Sequence, residues 1–119
     1  MKMLVCKIFR FSAAHYLPNY DGMCSRLHGH TWILEVEVEG PVDSMSGMVV
    51  DFAELKRDVN DLIIDVLDHT CLNDLGLPFS TNPTCENVLQ WIWDEFRNIY
   101  VLSRLRLYES PDSFAELKI

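Results

Sequence analysis

Residues 31–39 read T-W-I-L-E-V-E-V-E, and this stretch constrains the fold more than any other. Trp32, Leu34, Val36 and Val38 alternate strictly with Glu35, Glu37 and Glu39. Successive side chains of an extended chain point to opposite sides, so the alternation describes a strand with one face in a core and one in water. Half-buried strands of this kind belong to antiparallel sheets. Gly40-Pro41 marks the end of this one, and the chain must supply something to cover its Trp32 side.

The preceding segment, Met3 to Ser12, reads M-L-V-C-K-I-F-R-F-S. Val5, Phe9 and Phe11 lie on one parity and Leu4, Cys6 and Ile8 on the other, which describes a strand apolar on much of both faces. Between the two strands, Tyr16 to Arg26 is a loop rich in Pro, Asn, Asp and Gly. Beyond the turn-forming Val42 to Gly47, Asp51 is followed three residues on by Glu54, in the manner of a capping box. Phe52, Leu55, Val59, Leu62, Ile63 and Val66 then recur at helical spacing and predict a helix from about Phe52 to about Leu67. Asp68 to Pro83 is irregular. Thr84 is placed to N-cap a second helix whose stripe is Val88, Leu89, Ile92 and Phe96.

The tail returns to period two, with Leu105, Leu107 and Glu109 opposite Arg104, Arg106 and Tyr108. Ser110-Pro111-Asp112 reads as a turn, and Ala115, Leu117 and Ile119 complete a closing strand. The order strand, strand, helix, helix, strand, strand predicts one α+β domain over residues 1–119: a four-stranded antiparallel sheet with two helices on one face. Apolar residues on both parities of the first strand imply that the other face is also covered, by further copies of the chain.

A formal charge of -8 excludes a nucleic-acid partner, because phosphate contacts need clustered Lys and Arg. No apolar run approaches the ~20 residues of a membrane span, and the N-terminus carries no readable export signal. The four cysteines lack paired spacing, so reduced thiols in the cytoplasm are expected.

The chemistry sits in short motifs. In C-S-R-L-H-G-H, Cys24 to His30, the imidazoles of His28 and His30 are two residues apart and project to the same side of extended chain. Two neutral imidazoles on one side can chelate a metal such as zinc, and His15 at the end of the first strand is the natural third ligand. Histidines at strand ends are also commonly just solvated or bonded to backbone. Cys24 fits two roles equally by spacing: a fourth ligand closing a structural site, or a thiolate held beside an open one.

In D-H-T-C-L-N, Asp68 to Asn73, a carboxylate beside an imidazole can set its tautomer and move protons near neutral pH. The plainer reading is a histidine that satisfies carbonyls at a helix end. Glu109 continues the Leu105, Leu107 parity and needs donors there, either water or the N–H edge of a flat heterocycle. Glu86, in the first turn of the second helix, complements the helix dipole.

Taken together, F-S-A-A-H at 11–15, C-S-R-L-H-G-H at 24–30, D-F-A-E-L at 51–55, D-H-T-C-L-N at 68–73, N-P-T-C-E-N at 82–87 and Y-E-S at 108–110 resemble the 6-pyruvoyl-tetrahydropterin synthase family from end to end. The short gap between Cys24 and H-G-H is most similar to its 6-carboxy-tetrahydropterin synthase branch, although Ser110 stands where threonine is more usual. The resemblance implies the tunnelling fold, with ββααββ subunits forming trimeric barrels that stack into hexamers. It implies Zn2+ on His15, His28 and His30, and makes Cys24 a catalytic base assisted by Asp68 and His69 of a neighbouring subunit. Glu109 becomes the pterin anchor, with Thr84 and Glu86 near that pocket.

The reaction implied converts 7,8-dihydroneopterin triphosphate and water to 6-carboxy-5,6,7,8-tetrahydropterin, acetaldehyde and triphosphate, toward 7-deazaguanine nucleosides such as queuosine. Two alternatives stand beside it: the pyruvoyl-forming reaction, which retains the side chain, and a non-catalytic zinc or pterin-binding oligomer. Arg26, Lys7 and Arg10 are the candidates for the triphosphate.

Overall fold

A computed structural model describes residues 1–119. Two long strands, β1 (Met3–His15) and β2 (His28–Gly40), pair antiparallel along their whole length, with His15 opposite His28 and Phe11 opposite Trp32. β4 (Leu102–Ser110) pairs with β2 and β5 (Ser113–Lys118) with β4, both antiparallel. Both long strands run further toward the loop than the apolar pattern indicates, because backbone pairing carries them through His15 and His28, whose side chains are polar.

The sheet has five strands and is mixed, which corrects the expectation of four antiparallel ones. The additional strand, β3 (Thr70–Cys71), pairs parallel with β1 at Ala13 and Ala14, giving the order β3-β1-β2-β4-β5. Two residues are too few to show any periodicity, and only the return of the chain from the helices brings them to the edge of β1.

One face of the sheet is the core. Phe9, Phe11 and Ala13 of β1, Trp32, Leu34, Val36 and Val38 of β2, and Leu105 and Leu107 of β4 are buried against helical residues that include Leu55, Val59, Ile63, Val88 and Ile92. Trp32 is fully buried, stacks on Phe11 with ring centroids 5.8 Å apart, and donates its indole N–H to the Ala13 carbonyl at 3.2 Å.

The predicted helix from Phe52 is continuous but not uniform. α1 (Phe52–Val59) passes into a π-turn at Asn60–Ile64 and a last short turn, α2 (Asp65–Leu67). Leu55, Val59, Ile63 and Leu67 are all fully buried at every fourth residue. That spacing is wider than an α-helix offers on one line, and the i→i+5 turn absorbs the difference. Leu62, assigned to the stripe by α spacing, is exposed within the π-turn, and Phe52 is exposed at the first position of α1. Asp51 caps α1 by accepting the Ala53 N–H at 2.9 Å. α3 (Cys85–Phe96) begins at Thr84, whose hydroxyl accepts the Asn87 N–H at 3.1 Å.

The opposite face is open and polar at its centre in the single chain. Arg104 reaches Glu35 and Glu37, each at 3.0 Å, and Arg106 reaches Glu116 at 2.7 Å. Cross-strand register sets these pairs, since Glu37 lies opposite Arg104 and Glu116 opposite Arg106, with Glu35 diagonal to Arg104. Leu4 and Ile8 stand exposed on the same side. No helix is long and apolar enough to cross a membrane.

Candidate functional site

The core face ends in a cluster of imidazoles. Because Phe11, Ala13 and His15 share a parity on β1, and pair with Trp32, His30 and His28 on β2, the buried aromatic stripe runs directly into three histidines. Their ring centroids lie 4.6 Å (His15–His28), 5.2 Å (His15–His30) and 4.8 Å (His28–His30) apart. Trp32 packs its ring edge-on to both His15 and His30 and closes the cluster from the core side.

Backbone contacts decide which nitrogen is free on His15 and His28. His15 is fully buried, and its Nδ1 lies 2.8 Å from the Pro83 carbonyl. His28 Nδ1 lies 2.6 Å from the Arg26 carbonyl. A carbonyl can only accept, so each Nδ1 carries the proton and each Nε2 presents a lone pair. The Nε2 atoms of His15 and His30 are buried with no hydrogen-bond partner. Burial is also the main influence that lowers the basicity of His15 and His30 below the usual histidine range, so both favour the neutral, ligating form.

Unpartnered buried nitrogens are costly unless something else takes their lone pairs. Here one ligand atom each from His15, His28, His30 and Glu109 lies within 4.8 Å of the others. Glu109 Oε1 stands 3.1 Å from His15 Nε2 and 3.7 Å from His30 Nε2. Bonds of ~2.0–2.1 Å to a tetrahedral ion put ligand atoms about 3.3 Å apart, and the two separations bracket that value. The three histidines therefore fit zinc with a position left open, and the Glu109 carboxylate borders it. The Cys24 thiol is not in this group. It sits half-exposed in a short 3-10 turn, Met23–Ser25, within the loop between His15 and His28.

Glu109 also borders a hollow of about 340 Å³ with Cys85, Glu86, Ser113, Phe114 and Ala115. Two carboxylates thus face one cavity beside the histidines. The Thr84 hydroxyl is engaged in capping α3, which sets the entrance of the helix next to Glu86. The Cys85 thiol is buried, donates to the Leu107 carbonyl at 3.2 Å and is pushed up to about 12 by desolvation, so it is inert.

Asp68 and His69 lie elsewhere. Asp68 Oδ1 accepts the Ser12 N–H at 2.8 Å, and the His69 N–H donates to the Ser12 carbonyl at 2.6 Å. Asp68 Oδ2 meets His69 Nδ1 at 2.9 Å. The Ser12 hydrogen bond, with His69 adding to it, holds the Asp68 carboxyl below its usual range. His69 takes a positive φ of 60°, rare for a residue with a Cβ, and its ring is exposed. It lines a hollow of about 470 Å³ with Ser12, Ala13, Ala14, Gly29, His30, Thr31 and Thr70. The hollow therefore reaches His30 of the cluster, while neither Asp68 nor His69 is among the four grouped metal-ligand candidates. Lys7 lies over the Phe52 ring, eight residues or roughly 25 Å up β1 from His15.

The sequence model of the 6-pyruvoyl tetrahydropterin synthase family matches residues 4–119. The chain belongs to that family. Among its relatives in the 6-pyruvoyl tetrahydropterin synthase family, a 6-carboxy-5,6,7,8-tetrahydropterin synthase of Haemophilus influenzae is 34% identical, with 94% of this chain and 96% of that protein covered. A dihydroneopterin monophosphate aldolase of Pyrococcus furiosus is 37% identical, with 99% of each covered. The solved structure of Caenorhabditis elegans 6-pyruvoyl tetrahydropterin synthase matches with a TM-score of 0.89 at 29% identity, covering 100% of this chain and 96% of that one.

For this member of the pterin synthase family, motif spacing locates the three histidines but misses the approach of Glu109 to them. Its parity with Leu105 and Leu107 is the available signal: that face of β4 turns toward the core, and β4 is hydrogen-bonded to the histidine-bearing β2. Asn73 carries no such signal, although it closes the D-H-T-C-L-N motif.

Proposed function

We propose that the chain is a zinc-dependent 6-carboxy-5,6,7,8-tetrahydropterin synthase, converting 7,8-dihydroneopterin triphosphate and water to the carboxypterin, acetaldehyde and triphosphate. The observation that carries this reading is the cluster of three histidines, two with their Nδ1 on backbone carbonyls and two with buried unpartnered Nε2 atoms, bordered by Glu109 and lacking the Cys24 thiol. A structural clip would bind its nearby thiol. A reactive site keeps it free for chemistry.

His15, His28 and His30 would hold zinc, which supplies Lewis-acid polarisation of the substrate's side-chain hydroxyls. The hollow beside the cluster takes the flat heterocycle, with the Glu86 and Glu109 carboxylates as acceptors for its amino-pyrimidinone N–H edge and Thr84 ordering the helix entrance. Cys24, as thiolate, takes a proton from the side chain. His69 relays protons, oriented by the Asp68 carboxylate 2.9 Å from its Nδ1. In this reading the pair serves the site of a neighbouring copy, as the family resemblance implies, within a hexameric assembly.

The test is product identification from purified, zinc-loaded protein given 7,8-dihydroneopterin triphosphate. Stoichiometric acetaldehyde is expected. A retained three-carbon side chain would instead establish the pyruvoyl-forming reaction, and a shortened side chain without acetaldehyde would establish an aldolase, the activity named for the Pyrococcus relative. The Cys24→Ala variant is expected to keep its zinc and lose turnover; loss of zinc would make Cys24 a ligand and sink the mechanism.

A further inference from the structure

The D-H-T-C-L-N segment does more than carry Asp68 and His69. It lies along the free edge of β1 as a continuous zipper. Asp68 and His69 engage both main-chain groups of Ser12, Thr70 and Cys71 pair with Ala13 and Ala14, and Asn73 engages both main-chain groups of Tyr16. At that last position a side chain does the work of a strand. Asn73 Oδ1 accepts the Tyr16 N–H at 3.0 Å, and its Nδ2 donates to the Tyr16 carbonyl at 2.9 Å. Cys71 adds a weak contact to the same Asn73 oxygen at 3.9 Å.

Tyr16 is the root of the Cys24 loop and follows ligand His15 directly. The next residue, Leu17, donates its N–H to the Cys24 carbonyl at 2.8 Å. The loop has few other attachments: Met23, Ser25, Arg26 and Leu27 are exposed, and the 3-10 turn that carries Cys24 buries no residue. The Ser25 N–H to Gly22 carbonyl bond shapes the turn itself, and on the β2 side the Arg26 carbonyl lies 2.6 Å from His28 Nδ1. The direction in which the loop leaves β1 is therefore set at Tyr16, and the Leu17–Cys24 hydrogen bond passes it to Cys24.

We propose that Asn73 is a positioning residue for Cys24, acting through Tyr16 and the Leu17–Cys24 hydrogen bond. The proposal rests on the reading of Cys24 as the reagent. It adds that the thiol's placement depends on a carboxamide from the same segment that bears Asp68 and His69. Only a carboxamide does this. The Asn73→Asp substitution would keep the acceptor but set a second oxygen against the Tyr16 carbonyl, and Asn73→Ala would leave both main-chain groups of Tyr16 open to water.

The test compares zinc-loaded wild type, Asn73→Ala and Asn73→Asp by two measurements. The first is the iodoacetamide alkylation rate of each cysteine against pH, resolved by peptide mass spectrometry, with exposed Cys6 as the internal control. The Cys24 rate and its pH profile are expected to shift in both variants, while Cys6 alkylates as in wild type and zinc stoichiometry is unchanged. The second is steady-state turnover of the pterin triphosphate, where kcat is expected to fall roughly 10–100-fold with KM little changed, the loss typical of a reagent misplaced by about 1 Å.

Cys24 alkylation identical to wild type in the folded variants overturns the proposal, and so does a changed profile at Cys6 and Cys24 alike, which would mean general loosening. The Asn73→Asp variant retains one of the two hydrogen bonds and keeps the test decisive should the Asn73→Ala variant fold poorly. The alkylation measurement needs no substrate. Failure of wild type to turn over the pterin would therefore count against the proposed function and leave the positioning question answered.

Discussion

Replacing Glu109 with glutamine removes one negative charge from the histidine cluster while preserving side-chain size. Its Oε1 stands 3.1 Å from His15 Nε2 and 3.7 Å from His30 Nε2, so an ion bound to those nitrogens lies within direct reach. Even with the full screening of bulk water, a carboxylate about 4 Å from a dication contributes about 2 kcal/mol by Coulomb's law, roughly thirty-fold in dissociation constant. Glu109 is about two-thirds buried, so thirty-fold is the lower expectation. Zinc competition against a chromophoric chelator at neutral pH measures the change directly.

The same substitution has a second, independent sign. Glu109 raises the basicity of His15 and His30 against the larger effect of burial, so the glutamine variant must lower both further. Histidine titration by NMR on metal-free protein reads that shift. Zinc affinity equal to wild type, together with unmoved histidine titrations, would refute the placement of Glu109 in the metal cluster.

Two further outcomes follow from the fold. His15 and His30 have folded-state basicities lowered from 6.5, chiefly by burial, so the folded chain binds fewer protons than the unfolded chain as pH falls through that value. The metal-free protein should lose stability from about pH 6.5 downward, and comparison of urea midpoints with a His30→Asn variant isolates the effect; equal pH profiles would contradict it. Trp32→Ala should cost about 3–5 kcal/mol in denaturant unfolding, because a fully buried indole is lost from between Phe11 and two histidines. A cost below about 1 kcal/mol would mean that this stripe is not the core.

Much of the architecture is legible along the chain. The alternation around Trp32 assigns β2 and its buried face, and the H-G-H spacing places His28 and His30 on that same face, because parity is a local property of extended backbone. Thr84 and Asp51 announce the helix starts for an equally local reason: each needs only an N–H two or three residues ahead.

The helix interior is harder to read. Burial of Leu55, Val59, Ile63 and Leu67 on one line requires a π-turn, so α spacing finds Leu55, Val59, Ile63 and the partly buried Val66 but adds the exposed Leu62 and omits Leu67. Residue order alone thus settles which strand faces meet the core and which side chains are chemically able to bind a metal. Packing in three dimensions settles the long-range pairings: Glu109 with the histidines through β4 beside β2, Asp68 and Asn73 with the edge of β1, and Cys24 outside the ligand group. Such contacts join residues 56 to 94 positions apart in the chain. Local propensity carries no information about them, and only the seating of the helices on the sheet brings the partners together.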